Sequence, residues 1–182
     1  MKKVSFIVLM AFTMIFTTEA LAQKFSGLDK SPMDMAAYPS DYKKADKAMR
    51  VIYSRPQLKG RSLSELAPAG KVWRTGANEA PEIRFYSDVV FSGKPIKAGV
   101  YSLFTIPGEK EWTVVLNKNL NQWGAYSYDE SADVARVTVP SSIGGTSLEE
   151  FSIAFKEADG GAHMVMGWDK TRVAVPITMA KM

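Results

Sequence analysis

The chain has 182 residues, a net charge of +4, a single His and no Cys. This length suits one ordinary domain, and the lack of Cys excludes disulfides, thiolate metal sites and cysteine nucleophiles. The basic residues are interspersed along the chain, which does not indicate a nucleic-acid-binding function.

Residues 1–22 have the three parts of a secretory signal peptide. Lys2-Lys3 precedes an apolar run over 4–16, and Ala20-Leu21-Ala22 supplies the small residues of a cleavage site. The apolar run is shorter than the roughly 20 residues that a membrane-spanning helix needs. We therefore expect cleavage after Ala22 and a mature protein, without a membrane span, that is periplasmic or secreted.

Residues 23–47 are polar and contain two prolines, so we expect an extended lead-in that packs partly on the following domain. From residue 48 onward, apolar and polar residues alternate in short runs rich in β-branched and aromatic side chains. The runs contain Met49, Val51 and Tyr53; Ile83 and Phe85; 100–106; Trp112, Val114 and Leu116; Val137 and Val139; Phe151, Ile153 and Phe155; Met164, Met166 and Trp168; and Val173, Val175 and Ile177.

Turn and helix signals complete this pattern. Ser92-Gly93-Lys94-Pro95 predicts one hairpin, and Asp169-Lys170 predicts another between the last two strands. Only Leu63 to Leu66 looks briefly helical, with Ser62 or Ser64 as its cap. About nine short strands without a long helix predict an all-β fold, a single antiparallel β-sandwich or jelly-roll-like domain over 48–182.

Common catalytic motifs are absent from the sequence. There is no G-x-S-x-G, H-E-x-x-H, G-x-x-x-x-G-K-[ST] or G-x-G-x-x-G. His163 lies on a predicted strand, where a structural or solvent-facing role is the simplest expectation. A zinc site usually needs three or four ligands, several of them His. The sequence therefore favours a binding protein over an enzyme, with no cofactor and no metal site.

Three polar segments, at 52–61, 72–83 and 117–137, interrupt the strands. Their Arg residues can bind a carboxylate or phosphate, their aromatic residues offer flat faces, and Asn78 and Glu79 can recognise hydroxyl or amide groups. Loops displayed on a rigid sheet suit a small polar ligand, such as a saccharide or an anionic envelope component. The predicted ligand-binding residues are Arg55, Arg61, Trp73, Arg74, Asn78, Glu79, Trp123, Tyr126 and Asp129.

Each of these residues also has a structural interpretation. The Arg residues can fasten loops, Trp73 can fill the core, Asn78 can cap a turn and Gly76 can supply a positive φ. For Arg74 we expect a position at the core margin and a pairing with Glu79, Asp129 or Asp133. A guanidinium cannot lose its charge, so burying it without a carboxylate would be costly.

Two other functions stay open at this point. Glu79 with Asp129 or Asp133 could form the carboxylate pair of a hydrolase acting on envelope glycans. A structural interaction module would instead use an exposed apolar patch in the lead-in. That patch would contain Met33, Met35, Tyr38 and Tyr42. A calcium site at Asp129, Glu130 and Asp133 is disfavoured, because their spacing matches no calcium loop.

Several segments together resemble the DUF2911 family, exported bacterial proteins that are common in Bacteroidetes. They are SPMDMAAYP, YSRPQLKGR, GKVWRTGANEA, AGVYSLFTIP, EWTVVLNK, QWGAYSYDESADVARV and MGWDKTRVAVPI. The resemblance runs from about Ser31 to Ile177 and implies export, but it brings no reaction with it. Pro81 stands where the family usually has Thr, and Ala69 where an aromatic residue is frequent. Because Pro81 lacks a backbone donor, we expect it to precede a strand.

Overall fold

A computed structural model describes residues 24–180, so the predicted signal peptide and its cleavage site lie outside the described residues. The all-β prediction is confirmed for this range. The elements are β1 (Met33–Tyr38), β2 (Met49–Ser54), α1 (Leu63–Leu66), β3 (Glu82–Phe85), β4 (Val89–Phe91), β5 (Lys94–Ile96), β6 (Gly99–Ile106), β7 (Glu111–Asn117), a short 3₁₀ helix (Glu130–Ala132), β8 (Asp133–Ala158) and β9 (Gly161–Met179). No helix within 24–180 has the length and apolar character to cross a membrane.

The strands form one antiparallel sheet in the order β1-β2-β3-β6-β7-β8-β9-β4-β5, and this sheet folds over on itself. The fold is made by β8, whose 26 residues pass from one layer to the other, and the 19-residue β9 pairs with the later part of β8. The first layer contains β1, β2, β3, β6, β7 and the start of β8. The second contains the rest of β8 with β9, β4 and β5.

The core lies between the two layers and is unusually aromatic on one side. The predicted alternation directs Met49, Val51 and Tyr53 inward, and all three are buried. Trp73 stacks on Trp168 with ring centroids 5.5 Å apart. Phe151 meets the Trp73 ring edge-on at 5.2 Å. This apolar packing is the main stabilising contribution in a chain without disulfides.

One of the two predicted hairpin turns is confirmed. Ser92 and Gly93 have φ values of 46° and 85°, as a two-residue turn between β4 and β5 requires. The predicted turn at Asp169-Lys170 is wrong, because β9 continues through both residues. Asp169 instead has a φ of 47° at the place where the pairing with β8 changes register. The residue therefore bends a strand rather than ending it.

The predicted helix is present, and the segment predicted as a lead-in contains a strand. Ser62 caps α1, and the Ser62 N–H donates a hydrogen bond to the Glu65 carboxylate, which completes a capping box. The stretch predicted as an extended lead-in contains β1, which pairs with β2 as an edge strand. Pro81 directly precedes β3, as expected.

We use the term outer face for the side of the first layer that points away from the core. Polar or exposed positions of the strands lie on it, alternating with the buried ones. Loops 72–80 and 118–132 cover its part over β6 and β7. Asn119 O accepts a hydrogen bond from Ser102 Oγ at 2.7 Å, and the Asn121 N–H donates to Glu82 Oε1 at 3.0 Å. The part over β2 and β3 stays open.

Candidate functional site

The covered part of the outer face, which we call the closed end, is built on Phe104, Val115, Tyr128 and Arg136. Phe104 and Val115 are fully buried although they point away from the main core. The Tyr128 ring meets Phe104 edge-on at 5.0 Å. The covering loops thus create a second, small apolar cluster there.

A network of polar groups borders this cluster. Asp133 accepts hydrogen bonds from the Tyr128 hydroxyl at 2.6 Å, from Arg136 at 3.1 Å and from the Asn117 amide at 2.8 Å. Arg136 also lies 2.6 Å from a Glu130 carboxylate oxygen. Burial and the bond to Asp133 raise the pKa of Tyr128 above its usual range. Asp133 and Arg136 satisfy each other here, so the network fastens the loop.

Backbone hydrogen bonds join the two covering loops and bring three of the predicted site residues together. The Gly124 N–H donates to Asn78 O at 2.9 Å, and Glu79 forms a β-bridge with Trp123. The Trp123 and Tyr126 side chains are 63% and 85% exposed. Asn78, Glu79 and Trp123 therefore lie side by side, and both aromatic side chains remain accessible.

The residues of loop 72–80 that have a positive φ are not the one that the sequence predicted. Thr75 and Asn78 have φ values of 57° and 60°, while Gly76 is not among the residues with positive φ. A Cβ at Gly76 would lie 3.0 Å from Ser54 O. Gly76 is thus required by a close backbone approach, and the side chain of Thr75 is held by a 3.1 Å hydrogen bond to Thr105.

The structure separates the neighbours Trp73 and Arg74. Trp73 is 6% exposed and belongs to the core, while strand alternation places Arg74 on the other side of the backbone. The expected ion pair of Arg74 is not formed, since Arg74 takes part in none of the ion pairs found within 24–180. Its candidate partner Asp133 is already bound by Arg136. The Arg74 Nε is buried and lacks a hydrogen-bond partner.

Arg55 and Arg61 hold the end of β2 and the segment after it. Arg55 donates to Phe151 O at 3.2 Å and Ser152 Oγ at 2.8 Å, and pairs with Asp34 at 3.0 Å. Arg61 donates to the carbonyls of Leu58 and Gln57 at 3.0 and 2.9 Å. Arg55 thus joins the two layers at this edge, whereas Arg61 fastens only its own turn.

The acidic residues of the third segment are also used by the fold. Asp129 caps the 3₁₀ helix, accepting from the Ser131 hydroxyl at 2.7 Å and from its N–H at 2.9 Å. These bonds, the hydroxyl first, lower the pKa of Asp129. Within 24–180 no group of three or more His, Cys, Asp or Glu side chains is arranged to hold a metal ion. Neither the carboxylate-pair hypothesis nor the calcium hypothesis gains an observation in its favour.

The uncovered part of the outer face, which we call the open end, carries two arginines. Arg50 of β2 and Arg84 of β3 lie directly opposite each other in the antiparallel register, with Val100 of β6 next in the row. Neither Arg forms an ion pair with an acid of residues 24–180. The Arg50 Nε is buried without a hydrogen-bond partner, and the Arg84 guanidinium lies 5.8 Å from the Tyr86 ring centroid.

Two adjoining cavities form a groove along the open end. The first, about 240 Å³, is lined by Arg50, Ile52, Glu82, Arg84, Tyr86 and Val100. The second, about 210 Å³, continues past Ile52 and Glu82, which line both. It adds Met33, Tyr53, Ser54, Glu79, Ala80 and Pro81. The groove thus runs from two cations to Glu79, the member of the predicted site set that lines it.

Sequence reasoning missed Arg50 and Arg84, although both were visible as polar positions within predicted strands. Arg50 alternates with Met49 and Val51, and Arg84 with Ile83 and Phe85, so their outward direction could be predicted. Their apposition depends on the β2–β3 register, which alternation alone does not give. The binding site was predicted in the polar loops instead, because binding residues are frequent in loops.

Comparison with known proteins places the chain in a family. The family model described as "Protein of unknown function (DUF2911)" matches residues 31–177, which is most of the chain. No curated protein and no solved structure gives a significant match. The extent of the family match confirms the resemblance seen in the sequence motifs, and the chain belongs to the DUF2911 family.

Proposed function

We propose that this protein is an exported binding protein for a small organic anion, which it holds in the groove at the open end. The observation that carries the proposal is the apposition of Arg50 and Arg84 without an acid of residues 24–180 paired to either. The choice of an anion over a neutral saccharide follows from this charge arrangement.

Like charges directly opposite each other on neighbouring strands destabilise a sheet. The chain has acids available to relieve this, since Glu82 is two residues from Arg84 and lines the same cavity. One Glu82 oxygen instead accepts the Asn121 N–H at 3.0 Å. The two guanidinium groups are thus left to share a negative charge that comes from outside the chain.

The shape of the site suits such a ligand. A guanidinium offers parallel N–H donors that match a carboxylate or phosphate, and two of them facing one cavity can hold an anion from both sides. Tyr86 supports one face of Arg84 by a cation–π contact, which limits the freedom of that side chain. The Arg50 Nε is buried without a hydrogen-bond partner among residues 24–180, so its position carries a desolvation cost.

Titration calorimetry and thermal shift with acetate, inorganic phosphate and glucose will test this function. We expect the anions to bind and raise the Tm, with affinity that weakens at high salt, while glucose has no effect. Arg50→Gln or Arg84→Gln should each weaken anion binding about tenfold or more, the usual loss for a charged hydrogen bond.

Lys94→Gln is the matched control, because it removes the same charge from an exposed position on β5. It should leave the affinity within about twofold of wild type, since an exposed charge outside the groove acts only through the screened field. The proposal fails if glucose binds and the anions do not, or if both Arg variants bind anions as wild type does.

A further inference from the structure

We infer that the anion is the head of an amphiphile, an aliphatic monocarboxylate whose chain lies along the groove from Arg50 and Arg84 toward Met33. This inference rests on the proposed function and specifies the class of ligand. It is carried by three features of the groove: its apolar continuation, its length and the placement of its two glutamates.

The groove changes from cationic to apolar along its length. Beyond the two arginines it passes Ile52 and reaches Met33, Ala80 and Pro81. Ile52 and Met33 are 43% and 66% exposed, a high exposure for apolar side chains on an ordered strand. Exposed apolar side chains that adjoin one another mark a surface that gains by being covered.

This apolar surface extends onto the edge strand. Met35 lies opposite Ile52 in the β1–β2 register and is 50% exposed. Methionine side chains adapt their shape readily, so Met33 and Met35 can follow a flexible chain as well as a rigid one. Tyr38, which the sequence predicts in an apolar patch of the lead-in, packs against the core instead. The patch therefore belongs to the groove side of β1.

The span of the groove suits an extended chain. From Arg50 to Ser54, the residues of β2 that bound it, the strand rises about 14 Å at the usual antiparallel spacing. A ligand that covers the arginines alone would leave Ile52 and Met33 in water. A linear aliphatic tail covers both without needing any further polar partner.

The two glutamates limit the charge that the ligand can carry. Glu82 lies beside the head-group cavity and Glu79 near the far end of the groove. A second negative charge on the ligand would approach one of them and be repelled. A phosphate monoester carries close to two charges at neutral pH, whereas a carboxylate carries one. The charge pattern thus favours a single carboxylate with an uncharged tail.

A chain-length series will test the inference. We expect the affinities of acetate, butyrate, hexanoate and octanoate, measured by calorimetry, to rise by up to about fourfold per added methylene, which is the transfer free energy of one buried CH₂. Octanedioate should bind more weakly than octanoate. Ile52→Ser should flatten the rise in affinity from acetate to octanoate, while Ile143→Ser, at an 85% exposed position outside the groove, should leave that rise as it is in wild type.

The outcomes separate this inference from the proposed function. An affinity that is equal for acetate and octanoate, yet lost in Arg84→Gln, overturns the amphiphile and keeps the anion site. Octanedioate binding as tightly as octanoate also overturns it. If phosphate binds and no carboxylate does, the inference fails and the anion site stands; if neither phosphate nor any carboxylate binds, both proposals fail. A rise with chain length that persists in Ile52→Ser but disappears in Ile143→Ser would place the tail elsewhere and contradict the inference.

Discussion

Arg136 at the closed end of the outer face and Arg50 and Arg84 at its open end are held in opposite ways. At the closed end, Arg136 lies within 3.1 Å of Asp133 and 2.6 Å of Glu130, and a loop seals the apolar cluster beside it. At the open end, Arg50 and Arg84 face each other without such partners, beside apolar side chains that remain exposed. Both ends lie on the same sheet, so the difference comes from what covers each of them.

The charges at the closed end stabilise the fold, whereas we propose that those at the open end bind a ligand. The Asp133 side chain is only 7% exposed, and its three hydrogen bonds leave little of its acceptor capacity for a ligand. Among residues 24–180, the open end keeps one arginine donor without a partner, the Arg50 Nε, beside apolar side chains that remain exposed. Removing groups at the closed end should therefore cost stability, and removing them at the open end should cost binding.

The largest expected difference between the ends concerns apolar side chains. Phe104→Ala should destabilise the fold by about 3–5 kcal/mol, because it empties a fully buried site under Tyr128. Ile52→Ala at the open end should cost less than about 1 kcal/mol, because the side chain is 43% exposed. Urea midpoints of the two variants measure both effects, and equal losses would abolish the distinction between the ends.

Phe104 and the open end show how much of the structure the sequence alone could predict. Phe104 lies in a strand whose apolar and polar residues alternate. The inward-facing runs around Val51 and Val175 allowed the antiparallel two-layer fold to be predicted. The pattern could not tell that residues 133–158 form a single strand, because pairing with β9 carries β8 through a polar stretch between its two apolar runs. The open end escaped prediction because it depends on which outward positions become neighbours across strands.

The second difference concerns buried charge. Asp133→Asn should destabilise the protein by about 2–3 kcal/mol, since it removes the charge that balances Arg136 at a nearly buried position. Asp34→Asn breaks the more exposed pair with Arg55 and should cost no more than about 1 kcal/mol. Denaturant unfolding compares them, and an Asp133 variant as stable as the Asp34 variant would show that the closed end is not held by its network.

The third difference appears at alkaline pH. The folded-state pKa of Tyr128 is raised, so the unfolded chain loses that proton first, near pH 10, and the stability present below pH 10 declines as the pH rises further. One such group adds a slope of at most about 1.4 kcal/mol per pH unit. Tyr128→Phe should be less stable at pH 8 but should lose stability less steeply between pH 10 and 11. Parallel urea-midpoint curves for the two proteins would contradict this.

The smallest expected effect is a change in stability whose sign distinguishes a binding role of Arg50 from a structural one. Arg50→Met should stabilise the protein by about 0.5–1 kcal/mol, because it removes both a cross-strand repulsion and a buried donor without a partner, while it keeps a linear apolar stem. The gain should shrink at high salt, which screens the repulsion. The same change at Arg136 should destabilise, since it would leave Asp133 and Glu130 without their cation. A protein that becomes more stable when it loses a binding group has been holding that group for function. Urea midpoints at low and high salt decide the sign, and a loss of stability in both variants would make Arg50 a structural residue like Arg136.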